Sequence, residues 1–145
     1  MLNKQNLYTA SKQVEKYNTD TSKKIYISGP VSMYNDPDFA LKKFNCFADK
    51  LNSYIQSGGT FNNGEIILDN AIVVNPLSFN LSLEDIDKMT WADFMVVSFM
   101  ILNTCDYILM MPNHELSEGA KLENLFAEKS NHITLLVADN LNEKN

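Results

Sequence analysis

A chain of 145 residues with 45% hydrophobic and 21% charged side chains has the length and balance of one soluble globular domain. Its net charge of −6 and the lack of any Lys/Arg cluster argue against binding a nucleic-acid polymer, yet leave small phosphorylated ligands open, since backbone N–H groups bind these without cations. Two cysteines without metal or disulfide spacing, two separated histidines and no membrane-length apolar run predict a cytoplasmic protein with no metal, no cofactor, no membrane span and no cleaved leader.

Residues 1–22 are polar, with a thin helical stripe through Leu7, Ala10, Val14 and Tyr17, and read as an extension outside the domain. The domain is expected over 23–138, with 139–145 a frayed polar tail. Lys-Ile-Tyr-Ile-Ser from Lys24 is a short apolar strand stopped by Gly29-Pro30. A loop through Ser32 and Asp36 follows, and Pro37 suits a first helical position with Asp36 as cap. Phe39, Phe44, Phe47, Ala48, Leu51, Tyr54 and Ile55 recur at helical spacing, predicting an amphipathic helix over 37–56 that ends at Ser57-Gly58-Gly59. The apolar patches 65–68 and 71–74, separated by Asp69-Asn70, suggest a hairpin with 71–75 as a central strand and Asn75-Pro76-Leu77 as a second loop. Ser82 and Asp85 form a capping-box pattern, predicting one helix from there to about Leu102.

The most informative stretch runs from Cys105 to Phe126. It reads as a buried strand over 107–111, a turn at Pro112-Asn113, an acidic loop and a helix opening at Ser117. Gly119 and Ala120 leave the first helical turn nearly bare, an arrangement that suits an anion at the helix mouth. Glu123 lies four residues after Gly119 on the same face, and helical side chains lean toward the N-terminus, so its carboxylate reaches back toward that mouth. The competing reading makes Ser117 an ordinary N-cap and Glu123 a solvated charge. A fourth strand is expected over 133–138. The alternation of strands and helices predicts a parallel sheet covered on both faces, with loops 29–36, 75–81 and 112–118 gathered at the strands' carboxyl ends.

The series Tyr-Ile-Ser-Gly-Pro (26–30), Val-Asn-Pro (74–76), Trp-Ala-Asp-Phe-Met (91–95), Cys-Asp-Tyr-Ile-Leu-Met-Met-Pro (105–112) and Ser-Glu-Gly-Ala-Lys-Leu-Glu (117–123) resembles the nucleoside 2-deoxyribosyltransferase superfamily, in its small phage-type branch. The resemblance covers about 23–138 and implies a flavodoxin-like three-layer α/β sandwich, a substrate cleaved between nucleobase and sugar, no cofactor, and assembly as a homodimer or larger. It implies that Glu123 is the nucleophile and that Ser117 contacts a 5′-phosphate, favouring a nucleotide over a nucleoside. It also places Tyr26, Ser28, Gly29 and Ser32 along the sugar and phosphate; Pro30, Asp36, Pro76, His114 and Gly119, on or beside the loops gathered at the strands' carboxyl ends, complete the candidate substrate site. The sequence departs at Ser98, where the resemblance leads one to expect an aspartate that orients or protonates the substrate. Asp93 lies on another helical face, and Asp106 opens its strand at the end away from the site. The acid for the leaving base is left among Asp36, Asp38, His114 and solvent. A catalytically reduced nucleotide-binding domain is the alternative.

Overall fold

The computed structural model describes residues 22–30, 37–77 and 90–141. The extension over 1–21, the loop residues Ser32 and Asp36, and the Ser82–Asp85 pattern lie outside the described residues. The elements are β1 (Lys24–Ser28), α1 (Pro37–Gln56), β2 (Thr60–Phe61), β3 (Ile66–Ile67), β4 (Ile72–Val74), α2 (Trp91–Leu102), β5 (Tyr107–Met110), a 3-10 turn (His114–Leu116), α3 (Glu118–Ser130) and β6 (Thr134–Leu136).

Four strands form a parallel sheet in the order β4-β1-β5-β6. β1 is buried along its whole length, and its side chains divide by the period-two rule of strands. Ile25 and Ile27 enter the core beneath α1, with Phe44, Phe47, Leu51 and Ile55. Tyr26 enters the opposite core, beneath α2 and α3, with Val97, Ile101, Leu102 and Ala127. The sheet therefore lies between two helical layers, as the strand–helix alternation predicts, in the flavodoxin-like three-layer form that the resemblance implies. The chain moves outward from β1 to β4, then crosses back to β5 and β6. That reversal puts a topological switch point between β1 and β5, where open sheets of this kind hold ligands.

Three expectations need correction. The patches 65–68 and 71–74 do not pair with one another. β3 instead pairs with β2 around Asn62-Asn63-Gly64, all three at positive φ, and β4 joins the parallel sheet at its edge, beside β1. An Asn-Gly turn tolerates the left-handed conformation that such a tight reversal demands, and this outweighs the apolar match of the two patches. The helix predicted to run from Ser82 begins at Trp91 behind an extended Thr90 (ψ 164). There the Thr90 hydroxyl accepts from the Asp93 N–H at 3.1 Å while the Asp93 carboxylate accepts from the Thr90 N–H at 3.0 Å. Finally, the chain after 138 is not frayed at its start. Asp139 accepts from the Thr60 hydroxyl (2.5 Å) and from the N–H groups of Asn63 (2.7 Å) and Gly64 (2.9 Å), and Leu141 is buried. This clasp seats the β2–β3 hairpin beside β6, where Asn62 bonds the backbone of Leu135 and Val137 and covers part of the sheet's edge.

Candidate active site

The carboxyl ends of β1 and β5 meet tightly. The Met111 N–H donates to the Ser28 carbonyl at 2.7 Å, and a Cβ on Gly29 would lie 2.9 Å from Cβ and 2.7 Å from Sδ of Met111. Gly29 is therefore required for packing, and Pro30 beside it is fully buried. Beyond Met111, Asn113 adopts φ 66 and starts the 3-10 turn that delivers the chain to α3. Ser117 caps α3, the role the competing reading gave it, its buried hydroxyl accepting from the Ala120 N–H at 3.2 Å. Capping uses a lone pair, so the same hydroxyl keeps an O–H to donate.

Glu123 is not a solvated charge: it is 6% exposed and faces the polar side of β1. The Ser28 hydroxyl donates to one carboxylate oxygen at 2.9 Å, and the Tyr26 phenol donates to the other in a short hydrogen bond. Burial pushes the carboxyl up from its ordinary 4.5 to about 7, with the Tyr26 and then the Ser28 hydrogen bonds pulling the other way. Tyr26 is raised well above its usual range, first by burial and then by the neighbouring Glu123 charge. A side-chain interaction with Ser98 opposes that rise. Tyr26 and Ser28 therefore hold Glu123 from one face of β1 and tie that strand to α3. No buried side-chain oxygen or nitrogen among the described residues lacks a partner.

The remaining candidates are spread more widely. Gly119 opens α3 one turn before Glu123; a Cβ there would lie 3.1 Å from Sδ of Met95 and 3.9 Å from Nε1 of Trp91. His114 sits in the 3-10 turn, its Nδ1 2.7 Å from the Met111 carbonyl and 3.6 Å from the Glu115 carboxylate. Pro76 follows β4 at the same sheet edge but on the far side of β1 from β5; Asn75 before it bonds Asn45 (2.8 Å) and the Leu77 N–H (2.9 Å). Asp38 is exposed and pairs with Lys42 at 3.4 Å. Asp106 accepts from the Lys24 N–H at 3.0 Å at the opposite end of β1, a structural role that fits its place at the start of β5. Among the described residues no three His, Cys, Asp or Glu side chains gather as a metal site requires, and no helix is long and apolar enough to cross a membrane.

Sequence reasoning grouped Tyr26 and Ser28 with the substrate and missed that both bind Glu123 directly. The signal was present: hydroxyls at alternate positions of an otherwise apolar strand face one side together.

Fold and site define the class as a flavodoxin-like α/β domain with a hydroxyl-held carboxylate beside the switch point of its sheet. The chain belongs to the family described as "Domain of unknown function (DUF4406)", whose model matches residues 23–135. Comparison with curated proteins and with solved structures gives no significant match.

Proposed function

We propose that this protein breaks the bond between base and sugar in a nucleoside 5′-monophosphate, as its resemblance to the nucleoside 2-deoxyribosyltransferases implies. The observation that carries the reading is Glu123, buried at the switch point with one hydroxyl donor on each carboxylate oxygen. In its ionised form Glu123 attacks C1′ through an oxocarbenium-like state, the C1′–N bond breaks, and the base leaves with its electron pair and takes up a proton. Water, or a second base, then opens the glycosyl-glutamate and regenerates the carboxylate. Tyr26 and Ser28 hold the carboxylate in place through this cycle. Ser117 and the first N–H groups of α3 receive the phosphate. Ser98 is too weak an acid to protonate the base; Asp36, Asp38, His114 and solvent are the sources to test. The chemistry needs no cofactor, and assembly as a homodimer or larger belongs to the same reading.

One observation favours a second reading. Where the resemblance leads one to expect an aspartate the chain carries Ser98, which suits a domain that binds a nucleotide without turning it over. Release of free base from a panel of ribo- and deoxyribonucleoside 5′-monophosphates separates the two. The enzyme reading expects release that stops in Glu123→Gln. Binding of the same nucleotides with no base released would leave the binding domain standing instead.

A further inference from the structure

We propose that Asn63 is a site of spontaneous backbone modification, deamidation through a succinimide, and that the Asp139 clasp sets its rate. Asn63-Gly64 is the only Asn-Gly pair in the chain. In such a pair the glycine nitrogen can attack the asparagine's side-chain amide carbon, because no Cβ on the glycine stands in its way. The Gly64 nitrogen bonds to Cγ of Asn63 and gives up its proton, and the side-chain amide nitrogen leaves with that proton as ammonia. Water then opens the ring at either carbonyl, leaving aspartate or isoaspartate at position 63. No oxidant, metal or enzyme enters the balance.

Three features single this pair out. Asn63 and Gly64 are exposed, at the tip between β2 and β3, to the water that the second step consumes. Asn62 beside them is pinned, its side-chain NH2 donating to the Leu135 carbonyl at 3.2 Å and its amide oxygen accepting from the Val137 N–H at 2.7 Å. Asn113 and Asn131 share the left-handed backbone of Asn63 (φ 66 and 68 against 60). Each of those two precedes a histidine, whose side chain crowds the attacking nitrogen.

The clasp holds the reaction back. The attacking nitrogen is the one whose N–H is donated to Oδ2 of Asp139 at 2.9 Å, beside the Asn63 N–H on Oδ1 at 2.7 Å. Attack on Cγ turns that nitrogen away from the carboxylate, so it waits for the hairpin tip to open. After the reaction the clasp no longer closes. Aspartate at 63 sets a second negative charge beside Asp139, and isoaspartate inserts one more carbon between the two N–H groups that the carboxylate spans. The tip that seats Asn62 on β6 is thereby released, uncovering backbone groups of Leu135 and Val137 at the sheet's edge. A reversible opening of the hairpin thus becomes a one-way change.

The full chain is incubated at mildly alkaline pH, folded and, separately, unfolded in guanidinium, and sampled by peptide mass mapping with enzymatic isoaspartate labelling. The unfolded chain is expected to convert at Asn63 before any other asparagine. The folded chain should convert there at least about tenfold more slowly, the scale of one hydrogen bond to a charged group. Equal rates in the two, or faster conversion at another asparagine, overturn the proposal. Asp139→Ala should bring the folded rate toward the unfolded one, and Thr60→Val, which removes one donor to Asp139, should do so by less. An Asp139→Ala protein that stays folded and converts no faster than the native one also overturns it. If Asp139→Ala loses the whole fold, seen as lost amide protection along β1, Thr60→Val decides instead, and a native rate there overturns the clasp's role. The modified fraction, separated by its added negative charge, should lose amide protection at Gly64 and Val137 while β1 and β5 keep theirs. Protection retained at both would show a hairpin that recloses and would overturn the one-way release.

Discussion

Removing a carboxylate from water disfavours its charged form, and the two hydroxyls on Glu123 recover only part of that loss, which is why its carboxyl is held up at about 7. Of the two, Tyr26 pulls harder than Ser28. In the proposed reaction the nucleophile must be ionised, so kcat/KM should climb with pH through about 7. Tyr26→Phe should move that rise to higher pH, and Ser28→Ala should move it in the same direction by less. A pH profile unmoved by either substitution would separate Glu123 from the titrating step. The same group makes a stability prediction of definite sign. A folded value above the unfolded one means that the native chain holds a proton the unfolded chain has released. The contribution is therefore complete below 4.5 and lost as pH rises to about 7. Glu123→Gln removes this dependence. It should stabilise the fold by about 3 kcal/mol above neutrality and by little in mild acid. Thermal unfolding of both proteins across that range checks it; an equal difference at every pH would contradict the assignment.

α3 is the element on which the proposed phosphate binding and the stability of the fold both turn. Ser117→Ala removes its cap and should cost about 1 kcal/mol of stability. It should also weaken 5′-monophosphates by about 1–2 kcal/mol and barely affect the matching nucleosides, because the helix N–H groups remain. Calorimetry showing equal loss for nucleotide and nucleoside would place the phosphate elsewhere. At the other wall of the crevice, Gly29→Ala would drive a methyl into Cβ and Sδ of Met111 and push the ends of β1 and β5 apart. A loss of about 1–3 kcal/mol in chemical denaturation is expected. Elements with strong local signals were legible in the sequence. α1 carries a proline start, a sustained apolar stripe and a glycine stop, and α3 opens at a serine cap. The β2–β3 hairpin was obscured because two apolar patches of similar length competed with an Asn-Gly turn whose clasp, Asp139, lies 75 residues from Gly64. The start of α2 was misplaced because Ser82–Asp85 and Thr90–Asp93 both present a cap pattern, and only the second directly precedes the apolar run.

At the scale of the whole molecule, strand alternation and apolar runs were enough to predict a parallel sheet between helical layers and to bring Gly29-Pro30 and the Ser117 turn to one edge. They could not show that Tyr26 and Ser28 hold Glu123, because hydrogen bonds between residues 97 and 95 positions apart leave no local pattern. The net charge of −6 adds a physical constraint on ligand capture. A dianionic nucleotide approaching an anionic protein is repelled at long range, and salt screens that repulsion. KM should therefore fall or stay level as salt is added; a steep rise would indicate a cationic phosphate site in place of the α3 amides. The central claim is that Glu123 becomes covalently bonded to the sugar. Rapid acid quenching during turnover, followed by peptide mass mapping, tests it most directly. A sugar-phosphate adduct on the peptide containing Glu123, absent from Glu123→Gln, is the expected result. Base released with that peptide unmodified throughout, or an adduct on any other residue, would contradict it.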